Sequence, residues 1–280
     1  MIIIKKINEL RNELTIRRKA GKRIGLVPTM GYFHEGHLSL MDYARERSDV
    51  VVVSLFVNPA QFGPDEDLEC YPRDFRQDEQ MANERGVDII FYPDKDEIYP
   101  DSFFTYVITE ELSKVLCGTS RPIHFRGVTT IVAKLFNIVQ PDIAVFGRKD
   151  AQQAIIIKKM VADLNFPVEI IVAPIIRESD GLAMSSRNIY LNPEERKQAP
   201  IIYQALQKAV EMVQRGELDA GSVEYTIRQQ IETVPLARIE YIKIVRERDL
   251  SPVKAIEPGT FVAVAVFFGK TRLIDNVVLK

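Results

Sequence analysis

The sequence predicts an α/β fold in two parts, a doubly wound parallel-sheet domain over residues 1–176 and a smaller α+β domain over residues 177–280. Three observations predict it. Short runs that are apolar along their whole length, among them "DVVVVSLFVNP", "DIAVF" and "VEIIVAP", read as strands buried on both faces. Helical segments of ten to fifteen residues separate them as far as about residue 176, the spacing of parallel strands joined by crossovers. Beyond residue 191 the order changes to amphipathic helices followed by adjacent strands, which suits a small antiparallel unit.

Element by element, "MIIIKK" reads as a short strand. Ile7, Leu10, Leu14 and Ile16 follow at near-helical spacing, and Gly21 suits the helix C-cap. "RIGLVPT" is a buried strand, "HLSLMDYARERS" a helix with Leu38, Met41 and Ala44 on one face, and "DVVVVSLFVNP" the next strand. A polar helix over residues 73–85 precedes the strand "VDIIFYP". "GVTTIVAKLFNIVQ" and "DAQQAIIIKKMVADLN" are helices that flank the strand "DIAVF", and "VEIIVAP" closes the alternation. In the second part, "NPEERKQAPIIYQALQKAVEMVQRG" and "SVEYTIRQQIET" read as helices, then "RIEYIKIV", "TFVAVAVFFG" and "TRLIDNVVL" as strands separated by turns.

Composition excludes several classes. Against 39 acidic residues stand 37 basic ones, so there is no general excess of positive charge for coating nucleic acid. Cys70 and Cys117 are too few for a disulfide framework or a four-thiolate zinc site and read as reduced thiols. The apolar start is too short for a signal peptide, and no run approaches the roughly 20 apolar residues of a membrane span. A cytoplasmic protein is expected, with neither a nucleic acid nor a membrane as partner. All three histidines, His34, His37 and His124, fall in glycine-containing segments.

The most informative stretch is "GLVPTMGYFHEGHLSL", residues 25–40, where a strand runs through glycine and histidine into a helix at the carboxyl edge of the sheet. Open α/β folds bind ligands at that edge, and free N–H groups at a helix start suit phosphate. The spacing of Gly31 and Gly36 imitates a P-loop, yet His37 and Leu38 stand where lysine and a hydroxyl residue belong. The Rossmann glycine pattern is absent, and His34 and His37 are three residues apart rather than the four of a zinc-protease helix. Two imidazoles able to donate to phosphate oxygens are left, with a structural turn as the alternative for this segment alone.

Further segments fall on the same edge. Asn58 and Gln61 follow the next strand with neutral amides for hydroxyl and carboxylate groups, although Asn58-Pro59 is also a turn signal. Arg121, His124 and Arg126 cluster between two glycines, either as an anion-facing loop or as plain surface. "VFGRKDAQQ" sets Gly147, Lys149, Asp150 and Gln153 at another strand-to-helix junction, with Lys149 in reach of phosphates. "RESDGLAMSSRNIYL" offers Ser185, Ser186 and Arg187 as donors for a triphosphate.

Together, "PTMGYFHEGH", "FVNPAQFGP", "YPRD", "RPIHFRGV", "FGRKDAQQ" and "RESDGLAMSSRNIYL" resemble, in order and spacing, the motifs of the pantothenate synthetase family across essentially the whole chain. The first and last also resemble the two signature motifs of the nucleotidylyltransferase superfamily. The resemblance implies a Rossmann-like nucleotidylyltransferase domain with a smaller C-terminal lid, and an AMP-forming ligase that joins pantoate to β-alanine through an acyl adenylate. It implies an ATP site formed by Met30, Gly31, Tyr32, Phe33, His34, Glu35, Gly36 and His37, by Gly147, Arg148, Lys149 and Asp150, and by Ile176, Met184, Ser185, Ser186 and Arg187. His37, His34, Lys149 and Arg187 would be catalytic, Gln61 and Gln153 would bind pantoate, and Gln61 would also bind β-alanine. Mg2+ would arrive on ATP, with ligands that the sequence does not identify beyond Asp78 as a candidate, and no organic prosthetic group is expected. Phe33 stands where the family more often has leucine, and Arg148 where it varies. A homodimer is expected, with "VVVVSLFV" near its interface. The rivals are another enzyme of the superfamily, which would need a different acceptor pocket or a cationic RNA surface, and a non-catalytic nucleotide binder.

Overall fold

The computed structural model describes residues 1–64 and 66–280. Strands β1 (Ile2–Ile4), β2 (Ile24–Thr29), β3 (Val50–Leu55), β4 (Ile89–Phe91), β5 (Ile143–Gly147) and β6 (Glu169–Ala173) form one parallel sheet in the order β1-β4-β3-β2-β5-β6. From β2 the chain moves outward to β3 and β4, then returns to the other side of β2 for β5 and β6. That reversal opens a crevice beyond the carboxyl ends of β2 and β5.

Helices α1 (Ile7–Lys19), α2 (Glu35–Arg47), α3 (Phe75–Glu84), α4 (Lys95–Ile98), α5 (Cys117–Ser120), α6 (His124–Val139) and α7 (Ala151–Asp163) complete this part. Successive strand residues face opposite sides of the sheet, so a strand apolar throughout needs a core on each face. Leu26, Val50 and Val52 pack with α1 and α6 on one face. Val27, Val51 and Val53 pack with α2 and Ala82 of α3 on the other. The run "VVVVSL" is thus an inner strand, buried at every residue.

The second part holds α8 (Pro193–Gln198), α9 (Ile201–Gln214), α10 (Ala220–Ile231) and an antiparallel sheet of β7 (Ala237–Arg246), β8 (Thr260–Phe268) and β9 (Thr271–Val278). The sequence pattern suggests one helix from residue 192 to 215. Two form, because Pro200 has no N–H to return to the carbonyl of Arg196. This part has its own core, which begins with Leu182 and ends with Leu279. The two parts also share a buried contact, where Val245, Phe261 and Ala263 pack on Leu116, Ala151 and Ile155.

One close approach connects fold and site. Helix α6 crosses the turn Pro59–Gln61 at Gly127, where an added Cβ would lie 2.2 Å from the carbonyl oxygen of Ala60 and 2.5 Å from Cα of Gln61. Both obstacles are backbone and cannot rotate aside. Gly127→Ala is expected to lower stability by about 1–3 kcal/mol, the usual cost of overpacking, and to displace Gln61. Urea unfolding with an unchanged midpoint would show that the approach is looser than the geometry states.

Candidate active site

The crevice is a cleft of about 1100 Å³, large for one drug-sized ligand and sufficient for a nucleotide beside a small acid. Its floor starts at the turn from β2 into α2. His34 is the N-cap of α2, and its Nδ1 accepts the N–H of Gly36 at 3.1 Å. Nδ1 of His37 in turn accepts the N–H of His34 at 3.4 Å, so two imidazoles cap one helix reciprocally. A neutral ring that accepts at Nδ1 carries its proton on Nε2. Among the described residues, each histidine therefore keeps one Nε2–H donor uncommitted, and both residues line the cleft with ring centroids 4.1 Å apart. Glycine at residue 36 is required by contact, because a Cβ there would meet the His34 ring at 2.8 Å.

Burial first, and the Lys149 ammonium second, lower the His34 imidazole to about 4. His37 is held well below its ordinary value by burial, then by His34 and Lys149. Both rings are neutral donors at pH 7.

Asp78 of α3 fixes the preceding turn from below. Its carboxylate accepts the N–H groups of Tyr32 at 2.8 Å and Phe33 at 2.6 Å, and Tyr32 has a left-handed φ of 55°. Burial raises the Asp78 carboxyl, and the two N–H groups oppose that shift. Asp78 is 1% exposed and committed to backbone, so it is not poised as the metal ligand that the sequence suggested. Among the described residues, no three His, Cys, Asp or Glu side chains gather as a metal site.

On the β3 side, Gln61 lies in the turn Pro59–Gln61 with its amide in the cleft wall. Asn58 donates to Oε1 of Gln61 at 3.0 Å and to the Gly127 carbonyl at 3.1 Å, and its own oxygen accepts from Tyr99. Asn58 thus orients Gln61 through bonds to protein. Nδ1 of His124 bonds the Gln61 carbonyl at 2.9 Å, and burial followed by Arg121 lowers this imidazole to about 4.

On the β5 side, Lys149 sits in the turn Arg148–Asp150, with its ammonium 3.7 Å from Asp150. Gly147, Lys149, Asp150 and Gln153 all line the cleft. The far wall brings in Ile176, Met184, Ser185, Ser186 and Arg187. Met184 donates its N–H to the Ile176 carbonyl, Ser185 caps the turn Ser186–Tyr190, and Ser186 bonds the Tyr71 hydroxyl at 3.1 Å. Arg187 makes a two-point pair with Asp67 at 2.8 and 2.9 Å. Arg121 pairs with Glu66 in the same way.

Several expected residues turn elsewhere. Glu35 pairs with Arg85 at 2.6 Å, outside the cleft. Phe33 is buried in the core beneath the turn, Asp78 holds the backbone N–H groups of Tyr32 and Phe33, and Gly31 lies close against the Asp78 carboxylate. Arg148 points to Glu247 and the Phe261 ring, and Arg126 stacks on Tyr106. The structure also adds walls that sequence reading missed. Phe56, Val128, Ile131, Val132 and Leu135 line an apolar sector, and Glu240, Tyr241, Arg272, Asp275 and Asn276 reach in from β7 and β9. The first group reads as helix and strand core; the second lies on strands whose pattern says only that they pack.

The profile of the family described as pantoate-beta-alanine ligase matches residues 2–278. A pantothenate synthetase from Syntrophus aciditrophicus is 54% identical over 276 residues, covering 99% of this chain and 96% of that protein. One from Thermoanaerobacter sp. strain X514 is 52% identical, covering 99% of this chain and 98% of that one. Among solved structures, a pantothenate synthetase of Thermus thermophilus is 43% identical, with a TM-score of 0.95 over 100% of this chain and 99% of that one. A pantoate-beta-alanine ligase from Francisella tularensis, complexed with beta-gamma ATP and beta-alanine, is 34% identical with a TM-score of 0.80, covering 100% and 98%.

The depressed histidines set a pH dependence of stability. His124 titrates near 4 when folded and near its ordinary 6.5 when unfolded, so between those values the unfolded chain binds more protons. Its contribution is complete above pH 6.5 and is lost as pH falls towards 4. His124→Gln should remove about 1.4 kcal/mol per pH unit from the slope of unfolding free energy in that window. Urea titrations from pH 7 to 4 with parallel slopes in both proteins would contradict the assignment.

Proposed function

We infer that this chain, which belongs to the pantoate-beta-alanine ligase family, joins pantoate to β-alanine in an ATP-dependent, AMP-forming reaction within this cleft. The observation that carries the reading is the convergence of two neutral Nε2–H imidazoles, Lys149 and the Ser185–Arg187 turn on one edge, beside the amides of Gln61 and Gln153. The first set matches a polyphosphate; the second, next to an apolar wall, matches a small hydroxy acid with branched methyl groups.

Two steps follow in our reading. The pantoate carboxylate, aligned by Gln61 and Gln153, attacks the α-phosphorus of ATP, and pyrophosphate leaves in line. Lys149, Arg187, Ser185, Ser186 and the two imidazoles stabilise the charge that gathers on the oxygens. His37 and His34 are neutral before ATP arrives, so they act there as hydrogen-bond donors. The amine of β-alanine, beside Gln61, then attacks the adenylate carbonyl and AMP departs. No covalent bond to the protein is required. Mg2+ enters with ATP as part of that substrate; Asp150, half-exposed in the cleft lining beside Lys149, would offer a carboxylate to it.

The C-terminal part, residues 177–280, serves in this reading as a lid that keeps water from the adenylate, which suits its contribution of β7 and β9 residues to the cleft wall. The reaction needs neither nucleic acid nor membrane, and no helix among the described residues is long and apolar enough to cross one. We place the protein in the cytoplasm, where ATP is plentiful. For the homodimer, support comes from residues 103–109, an extended stretch outside both sheets that exposes Phe104, Tyr106 and Ile108 while Thr129 and Thr130 bind its inner backbone at Val107.

Pyrophosphate release should require pantoate and precede any need for β-alanine; Lys149→Ala or His37→Ala should lower it by about 10²-fold or more. Full turnover in both variants would remove their roles. Gln153→Ala should chiefly raise the KM for pantoate, and a change confined to ATP would misplace the pocket. Phe104→Glu with Ile108→Glu should convert a dimer to the 31.9 kDa chain in light scattering, whereas an unaltered mass would exclude that face.

A further inference from the structure

Among the described residues, neither the turn Arg148–Asp150 nor the start of α7 has a side-chain cap from its own part of the chain. The side-chain hydrogen bonds to the backbone of this turn come from the C-terminal part. Asn276 of β9, 3% exposed, donates through Nδ2 to the Arg148 carbonyl at 2.9 Å and to the Lys149 carbonyl at 3.1 Å. The Arg148 side chain reaches Glu247, just beyond β7. We propose that Asn276 is a positioning residue for Lys149, so that the last strand of the C-terminal part sets where the phosphate-binding ammonium stands.

The surroundings of Asn276 fit that task. Its neighbour Asp275 accepts a two-point pair from Arg177 at 2.6 and 3.0 Å, and Oδ1 of Asp275 also accepts the Asn276 N–H at 2.7 Å. Arg177 begins the segment that leads to Ser185 and Arg187. One dipeptide of β9 therefore ties both phosphate-facing segments to the same strand. The Asn276 oxygen is buried without a hydrogen-bond partner among the described residues. A group buried with half its bonding capacity unmet costs stability, so its two donors, rather than its packing, account for an amide at this site. A further consequence concerns the lid. Movement of the C-terminal part that keeps these bonds carries the Lys149 turn with it, so closure of that kind and lysine placement are coupled.

The inference rests on reading Lys149 as a phosphate-binding group, and a double-mutant cycle separates the two claims. Asn276→Ala should slow pantoate-dependent pyrophosphate release about 10- to 100-fold, raise the KM for ATP and leave that for pantoate within about twofold. Added to Lys149→Ala, it should cost less than about threefold more, because the group it positions is already gone. Two losses that multiply would overturn the proposal, while Lys149→Ala at full rate would overturn the reading of the lysine itself. Thermal unfolding gives the folded fraction to which each rate is referred. Asn276→Asp keeps the shape but has no donor when ionised. Its rate relative to the parent should rise as the pH is lowered and the carboxyl regains one O–H; a flat ratio would overturn the proposal.

Discussion

The start of α2 meets two demands with one pair of side chains. A helix whose first N–H groups are buried must have them satisfied, and a phosphate site needs donors that are still free. His34 and His37 resolve the conflict because imidazole has two different nitrogens: Nδ1 accepts the backbone N–H, which leaves Nε2–H for the cleft. An aspartate cap would satisfy the helix and offer no donor, and a serine cap would offer its O–H only from a much shorter side chain. The arrangement also requires neutrality, since a protonated ring could not accept at Nδ1. Burial and the Lys149 charge supply that neutrality. Asp78 completes the unit by holding the N–H groups of Tyr32 and Phe33 one step earlier in the chain.

Charge in the cleft follows a related economy. A net charge of −2 leaves room for a local excess of Lys149, Arg187, Arg121 and Arg126 around a polyanion. The fold qualifies this. Arg187 is matched by Asp67 and Arg121 by Glu66, both from the segment after Gln61, and Arg126 is turned away onto Tyr106. Buried guanidinium groups without partners would be costly, so the ligand-free cleft carries its own counter-charges. For phosphate to engage Arg187, it must replace or share the Asp67 carboxylate. Among the described residues, Lys149 faces only a long contact with Asp150 and is the more available cation.

The two parts of the chain are less separate than their cores suggest. The parallel-sheet part has an apolar cluster on each face and the C-terminal part has its own, yet a further cluster joins β7 and β8 to α7, and β9 reaches the Lys149 turn through hydrogen bonds. The cleft is consequently a joint product. The parallel sheet supplies the histidines, the lysine and the two glutamines, while the antiparallel sheet supplies one wall and the anchor of the lysine turn.

Much of this was legible in the sequence because it depends on local chemistry. Strand and helix periodicity, the breaks at glycine, the fall of His34, His37, Gln61 and Lys149 just past strand ends, and the place of Ser185–Arg187 at the seam between the two parts follow from residue types at short range, and the alternation of elements implied the parallel sheet. Reading "NPEERKQAPIIYQALQKAVEMVQRG" as one helix failed at Pro200, although proline is itself a local signal. What tertiary structure alone decided were partners distant in the chain: Asp78 with the Tyr32–Phe33 backbone, Asp67 with Arg187, Glu35 with Arg85 rather than the cleft, and Asn276 with the Lys149 turn. A carboxylate or amide has the same chemistry wherever it lies, and only the packing of two cores determines which distant donor or acceptor comes within hydrogen-bonding reach of it.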